Sequence, residues 1–139
     1  MQTPASLLIA AIRRRLKQVV GVEVRPYGLS PTQFWVLNRI HEGEGPSLRE
    51  LAEALYMDQP TASRVVSALS RQKLVRMEDD PDDRRRGRLV LTPKGRTLGQ
   101  KLHPLALRIR TSVDAGLSPS EREALRTLLQ KALSHVSKM

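Results

Sequence analysis

The stretch that decides the fold runs from Met57 to Thr92 and reads MDQPTASRVVSALSRQKLVRMEDDPDDRRRGRLVLT. Its first part has apolar residues at helical spacing, namely Ala62, Val65, Val66 and Leu69. Two short apolar runs follow, at 74–77 and 88–91, separated by turn-forming residues at 80–83 and by three consecutive arginines. A helix followed directly by a charged hairpin is the order of elements in a winged helix-turn-helix.

The flanking sequence predicts five further helices. Apolar residues three and four apart predict a first helix over about residues 5–24. Ser30 and Ser47 each precede a glutamine or glutamate by three residues, which is the capping-box pattern that begins the second and third helices. Thr92-Pro93 begins a fifth helix over about 93–116, and Ser118 caps a sixth over about 119–137.

The predicted architecture is therefore mainly α with a small antiparallel β wing. We expect one domain over residues 1–139, with the winged helix-turn-helix at about 30–92. The apolar stripes of helices one, five and six are more than a chain of 139 residues can cover by itself, so we expect these helices to form a dimer interface.

Composition narrows the classes of partner. Lysine and arginine number 24 against 14 aspartate and glutamate, and a formal net charge of +10 favours an anionic partner. No apolar run approaches the roughly 20 residues of a membrane span, and the arginines at 13–15 follow the apolar start, whereas a signal peptide has its positive charge first. We expect a cytoplasmic protein without a membrane partner. The absence of cysteine excludes disulfides and peroxide sensing through a thiol.

The fourth helix has a second face that is small, hydroxylated and basic. Its members are Pro60, Ser63, Arg64, Ser67 and Arg71. Small residues let a helix enter a major groove about 12 Å wide, where arginine can bond both acceptors of a guanine edge. Taken alone, this face fits an ordinary solvated surface helix equally well.

The hairpin mixes both signs of charge. Its arginines at 84, 85, 86 and 88 lie among acidic residues at 78–80, 82 and 83, which favours ion pairs that hold some arginines while others point outward. A narrow minor groove attracts an inserted arginine. By itself, the hairpin fits a salt-bridged loop better, but its place directly after a helix that suits a groove favours a wing.

Several segments carry a specific resemblance. DRRRGRLVLT at 83–92, followed by Gly95, resembles the wing signature of the MarR family of bacterial transcription regulators. QPTASR at 59–64 is similar to the start of that family's recognition helix. LSPTQF at 29–34 and LRELA at 48–52 are similar to its second and third helices, so the resemblance covers essentially the whole chain.

The resemblance implies a homodimer in which helices one, five and six form the interface and each lobe carries a winged helix. It implies base contacts from Pro60, Ser63 and Arg64, a minor-groove contact from Arg84, and a brace between Asp83 and Arg85. The full set of expected DNA contacts is Pro60, Thr61, Ser63, Arg64, Ser67, Arg71, Arg84, Arg86 and Arg88. Tyr56 stands where the family often has glycine, which leaves the geometry of the turn before helix four open. The arginines at 86 and 88 leave open which one enters the minor groove.

The implied function is a sequence-specific regulator of transcription that binds double-stranded DNA, a repressor that recognises a palindromic operator. The family often senses phenolic or amphipathic molecules, and we expect Trp35, His41 and His103 to approach such an effector crevice. The alternative for Trp35 is a position in the core.

Other functional classes find little support in the sequence. The three histidines have no ligand spacing and no nucleotide or nucleophile motif occurs, so we expect no catalytic site, metal or cofactor. The alternative function is a winged helix that binds protein or RNA, which would not need terminal helices for dimerisation.

Overall fold

The computed structural model describes residues 1–83 and 86–139, which form six α-helices and a two-stranded antiparallel sheet. The bounds are α1 Ala5–Val24, a 3-10 turn Arg25–Tyr27, α2 Pro31–Glu42, α3 Leu48–Ala54, α4 Gln59–Arg71, β1 Val75–Asp79, β2 Gly87–Leu91, α5 Pro93–Ser112 and α6 Pro119–Val136. The predicted mainly α fold with a small antiparallel wing is confirmed.

The chain forms two compact units, Met1–Ala106 and Leu107–Met139. The first contains the winged helix-turn-helix, and the second contains the end of α5 and all of α6. The expectation of a single domain over residues 1–139 stays a prediction. None of the described helices is both long and apolar enough to cross a membrane.

The core of the first unit lies between α2, α3, α4 and the wing. Phe34, Leu51, Leu69 and Leu89 are fully buried there, and α2 packs against α1, α3 and α4. Burial of each such side chain stabilises the fold by about 1.5–3 kcal/mol. The strands pair with Val75 opposite Leu91 and Asp79 opposite Gly87.

The segment before α3 hydrogen-bonds to the side of β2 that does not face β1. The backbone N–H of Leu89 donates to the carbonyl of Pro46 at 2.8 Å, so β2 is held on both sides, by β1 and by this segment.

Serine caps begin three of the helices as predicted. Ser30 and Gln33 form a reciprocal capping box with bonds of 3.0 and 3.1 Å. Ser118 and Glu121 do the same, and the backbone N–H of Ser118 holds the pKa of the Glu121 carboxyl below its usual value. At α3 the backbone N–H of Glu50 donates to the Ser47 hydroxyl at 3.1 Å, while the Glu50 carboxylate accepts from that hydroxyl.

The start of α5 is locked onto the end of α4. The Thr92 hydroxyl donates to the carbonyl of Lys73 at 2.6 Å and accepts from the backbone N–H of Gly95 at 3.0 Å. A side chain at residue 95 would overlap the carbonyl of Leu74, so this close approach requires glycine. These contacts hold the start of α5, which directly follows β2, against the chain segment between α4 and β1.

The fifth helix differs from the prediction in where it ends and in how much of its apolar stripe is buried. The fifth helix ends at Ser112, before the predicted 116, because the chain turns at Asp114, whose backbone N–H bonds Thr111. The predicted stripe of α5 is mostly buried within the chain itself, at Leu102, Leu105 and Ile109. By contrast, α1 and α6 leave several apolar side chains exposed. The expectation that helices one, five and six form a dimer interface stays a prediction.

Candidate nucleic-acid interface

The second face of α4 points to solvent along its whole length. Its buried residues are Ala62 and Leu69, which anchor the helix to the core. The five residues of the predicted DNA-binding face are all exposed: Pro60, Ser63, Arg64, Ser67 and Arg71. The structure therefore leaves this face open, and its contact with bases stays a prediction.

A chain of hydrogen bonds orders the start of α4. The Asp58 carboxylate accepts from the backbone N–H of Thr61 at 2.7 Å and from the Thr61 hydroxyl at 2.9 Å. The Thr61 hydroxyl in turn accepts from Arg64 Nη2 at 3.1 Å. Thr61 thus links the helix cap to the arginine expected to read bases, and holds the Arg64 guanidinium at the first turn.

Asp58 is the N-terminal cap of α4. The backbone N–H of Thr61, and then its hydroxyl, hold the pKa of the Asp58 carboxyl below its usual value, with a smaller contribution from the Arg64 charge. The carboxylate therefore stays ionised and engaged with the helix start, where its negative charge complements the helix dipole.

The turn before α4 uses a left-handed residue. Tyr56 has φ of +53° and is 79% exposed. Glycine favours this conformation, and a residue with a Cβ adopts it at a cost. Tyr56, which stands where the family often has glycine, therefore adopts a backbone conformation that glycine favours.

Backbone and side-chain bonds close the wing tip. The Asp80 carboxylate accepts from the backbone N–H of Asp82 at 2.9 Å, and Asp80 N–H donates to the carbonyl of Arg86 at 3.1 Å. The backbone N–H of Arg86 donates to the carbonyl of Asp83 at 3.0 Å. Arg84 and Arg85 lie outside the described residues, so the minor-groove role of the first and the brace between the second and Asp83 stay predictions.

Arg86 ties the wing to α3. Its guanidinium forms an ion pair with Glu50 and lies 3.7 Å from the carboxylate of Asp80. Sequence reasoning missed Glu50 as a partner of the wing, because the capping pattern already explained why a glutamate stands there. Arg86 is thus held by two carboxylates, and a DNA contact by this residue stays a prediction.

Arg88 lies within the wing strand and not at the tip of the hairpin. Residue 88 is already within β2, opposite Glu78, and its half-buried side chain lies against Gly45. Gly45 has φ of +68°, and a Cβ there would overlap the guanidinium. The side chain is therefore directed onto the loop before α3, and the expected contact of Arg88 with DNA stays a prediction.

Two of the three residues of the expected effector crevice come together. The rings of His41 and His103 have centroids 5.3 Å apart, and His103 Nδ1 lies 3.3 Å from Oδ1 of the buried Asn38. His103 Nδ1 is also 3.8 Å from the carboxylate of Glu42. Trp35 is half-buried, and its ring lies edge-on to that of Phe34 with the ring centroids 4.7 Å apart. It is therefore neither a fully buried core residue nor a member of the cluster of His41 and His103.

A metal site finds no support in the described part of the chain. Within residues 1–83 and 86–139, no three side chains of histidine, cysteine, aspartate or glutamate lie close enough together to hold a metal ion.

Comparison with known proteins gives a consistent result. A sequence model of the MarR family matches residues 27–86. The chain is 33% identical over 132 residues to YkoM of Bacillus subtilis strain 168, an uncharacterized HTH-type transcriptional regulator, and the match covers 92% of this chain and 85% of that protein.

Two solved structures share the fold over nearly the whole chain. The Staphylococcus aureus MepR–DNA complex has a TM-score of 0.83 and 25% sequence identity, with 96% of this chain and 99% of that chain covered. Bordetella bronchiseptica BpsR, whose DNA binding is regulated by 6-hydroxynicotinic acid, has a TM-score of 0.75 and 32% identity, with 93% and 92% covered.

The fold, the exposed recognition helix and these relatives lead to one assignment. The predictions of a DNA-binding regulator and of a chain that is not an enzyme are confirmed. The chain belongs to the MarR family of winged helix-turn-helix transcription regulators, which bind DNA and are not enzymes.

Proposed function

We propose that the protein is a homodimeric repressor that binds a palindromic operator and is released from it by a small aromatic or amphipathic molecule. The observation that carries this proposal is the exposed face of α4, on which Arg64 is held in place by Thr61 and Asp58. A regulator of chromosomal genes acts where the DNA is, so we propose a cytoplasmic location.

The charge of the chain supports a duplex partner. A net charge of +10 attracts the phosphate backbone, and contacts to phosphate supply most of the affinity that does not depend on sequence. Specificity then needs side chains at base edges, for which Ser63 and Arg64 are suited. We propose that Arg84, braced by Asp83 and Arg85, adds a minor-groove contact beside each half-site.

Exposed apolar side chains support a dimer. In the first unit, α1 exposes Leu7, Leu8, Ile9 and Ile12. In the second unit, α6 exposes Leu128, Leu129, Leu133 and Val136. Apolar clusters of this kind mark protein interfaces, and a second copy that covers them gives a two-fold assembly. Two-fold symmetry would set the two recognition helices about 34–36 Å apart, one turn of duplex.

A relative supports regulation by a small molecule. BpsR, 32% identical to this chain, has its DNA binding regulated by 6-hydroxynicotinic acid, an aromatic carboxylic acid. We propose an effector of similar size for this protein, near the cluster of His41 and His103.

The test begins with a map of the binding sites on the genome that carries the gene, starting with the gene's own promoter. A gel shift then compares the palindrome found there with a single half-site of equal length. We expect one dimer on the palindrome and at least about tenfold weaker binding to the half-site. Equal affinity for both duplexes, or binding to RNA of the same sequence with equal strength, would contradict the proposal.

A further inference from the structure

Met77 places an accessible thioether on the wing. It lies in the middle of β1, opposite Leu89, and is 55% exposed. The chain has four methionines, of which two are its first and last residues. The remaining one, Met57, lies just before α4 and is half-buried. Met77 is therefore the methionine of the winged helix-turn-helix that solvent reaches most easily.

A cavity of about 500 Å³ between the wing and α3 has this side chain in its wall. Arg86 and Glu50, the ion pair that ties the wing to α3, also line the cavity. Their side chains are 43% and 50% exposed, so water and small solutes reach the pair. A small polar oxidant can therefore enter here, and a group added to the sulfur would share the cavity with this ion pair.

Gly87 closes the other side of the sulfur. A Cβ at residue 87 would overlap the Met77 sulfur, so the thioether lies directly on the glycine backbone. The sulfur is bonded to Cγ and Cε, and an oxygen can add only at one of its two lone pairs. Since the space beside Gly87 is filled, an added oxygen projects into the cavity. Arg86 directly precedes Gly87, and its guanidinium lies in the same cavity.

We propose that Met77 is a site of reversible oxidation, and that its sulfoxide loosens the wing from α3. Hydrogen peroxide supplies the oxygen. A lone pair of the thioether attacks one peroxide oxygen, and the S–O bond forms as the O–O bond breaks. The departing hydroxide takes the proton of the sulfur-bound oxygen and becomes water. The thioether loses two electrons, which the peroxide gains, and the reaction needs no thiol in a chain that has no cysteine.

The sulfoxide competes with Glu50 for Arg86. A thioether is a weak hydrogen-bond acceptor, whereas oxidation to the sulfoxide makes the side chain polar. The guanidinium of Arg86 has only donors, and each N–H that turns to the sulfoxide is lost to the carboxylate of Glu50. The oxidised wing is therefore held less firmly against α3. The inference requires a chain that binds DNA, but neither the proposed dimer nor the proposed effector.

Mass spectrometry and deuterium exchange on the full chain without DNA test the site by itself. After treatment with hydrogen peroxide, we expect one added oxygen on the peptide that contains Met77 and faster exchange of the amides of β2. Met77→Leu keeps a side chain of similar volume that peroxide does not oxidise. Its exchange in β2 should be the same before and after treatment. The terminal methionines are present in both proteins, so their oxidation cancels.

Fluorescence anisotropy with a duplex that carries the mapped binding site measures the consequence for DNA binding. Oxidation should weaken the wild type about two- to fivefold, since an exposed ion pair contributes about 0.2–1 kcal/mol. Methionine sulfoxide reductases A and B with dithiothreitol should restore the affinity, because together they reduce both epimers of the sulfoxide. Met77→Leu should not respond to peroxide. Met57→Leu is the matched control and should respond as the wild type does.

Glu50→Gln tests the route through the ion pair. In this variant the pair is already broken, so oxidation of Met77 should cause little further loss of affinity. A further loss as large as that of the wild type would overturn the route. The site itself would be overturned by a Met77 that stays unoxidised while Met57 reacts, by unchanged exchange and affinity once Met77 is oxidised, or by protection in Met57→Leu alone. A protein that prefers no palindrome would contradict the proposed function, and the exchange of β2 would still decide this inference.

Discussion

Arg64 is the residue from which the strongest effect on sequence recognition is expected. Its guanidinium is held at the first turn of α4 by the Thr61 hydroxyl, so little side-chain entropy remains to be lost on binding. Arg64→Ala should weaken operator binding by about 1–3 kcal/mol, roughly 5- to 150-fold, and relax the preference at one base pair per half-site. Fluorescence anisotropy on operators with single base-pair changes measures both effects.

Arg71 provides the matched control at the other end of α4. It lies two turns later and is exposed, which suits a phosphate contact. Arg71→Ala should weaken binding to all duplexes by a similar factor and reduce the salt dependence of the affinity. If Arg64→Ala behaved in the same way, the helix would enter the groove in another orientation.

Asp58 gives the helix cap a predictable dependence on pH. Its folded-state pKa lies below the ordinary value of 3.8, because Thr61 donates two hydrogen bonds to the carboxylate. A lowered pKa means that the cap stabilises the fold above the unfolded-state pKa, and that this stabilisation is lost as pH falls through the folded-state pKa.

Asp58→Asn isolates that effect. Asparagine keeps the hydrogen bond from the Thr61 N–H without the charge. We expect the wild type to have the higher melting temperature at neutral pH, and the two melting curves to converge on acidification below about pH 4. The Glu121 carboxyl, whose pKa is also lowered, is present in both proteins and cancels. A melting-temperature difference that stays constant down to low pH would refute the assignment.

Tyr56 is a site where glycine should stabilise the protein. A left-handed residue with a Cβ costs about 1–2 kcal/mol, and the extra entropy of unfolded glycine offsets about 0.5–1 of this. Since the side chain is 79% exposed, little packing is lost. Tyr56→Gly should therefore raise the free energy of unfolding in urea by up to about 1 kcal/mol. Ser70→Gly, in the helical backbone of α4, should lower it, and equal signs for both would contradict the argument.

At the scale of elements, the wing is held from the side by α3. Glu50→Gln removes the ionic partner of Arg86 and leaves the arginine in place. Exposed ion pairs contribute about 0.2–1 kcal/mol, so operator affinity should fall up to about fivefold and the amides of β2 should exchange faster with deuterium. Glu53→Gln breaks the exposed pair with Arg49 on the same helix and serves as control. If both variants gave the same exchange in β2, Arg86 would have no part in holding the wing.

The helices and the wing could be predicted because their signals are local. The caps at Ser30 and Ser118 act over three residues, so a short stretch of sequence contains both partners of each cap. By contrast, the ion pair of Arg86 with Glu50 and the contact of Arg88 with Gly45 join residues that are far apart in the sequence. Nothing in the sequence favours Glu50 over the acidic residues nearer to Arg86, or indicates that Arg88 lies against Gly45.

At the scale of the whole molecule, the exposed apolar residues of α6 need a partner. This helix has its own N-terminal capping box, yet none of its residues is buried. Leu128 is 63% exposed and Val136 is 58% exposed. A helix of 18 residues with an uncovered apolar face is marginal in water by itself, since most helical stability in proteins comes from packing. A second copy of the chain would supply that packing.

Leu128→Asp tests the proposed interface without removing anything from the chain's own core. An unpaired carboxylate buried between two copies costs enough to raise the dimer dissociation constant at least about a hundredfold. Light scattering should therefore show a dimer for the wild type and a monomer for the variant at micromolar concentration, with a matching loss of palindrome binding. Thr127→Asp adds the same charge one residue away and should stay dimeric, because residue 127 falls on the opposite face of α6 from Leu129 and Val136. Deletion of the residues after Ser118 should give a poorly soluble chain that does not bind the operator. A monomeric wild type would contradict the dimer, and dissociation of both aspartate variants would place the interface elsewhere.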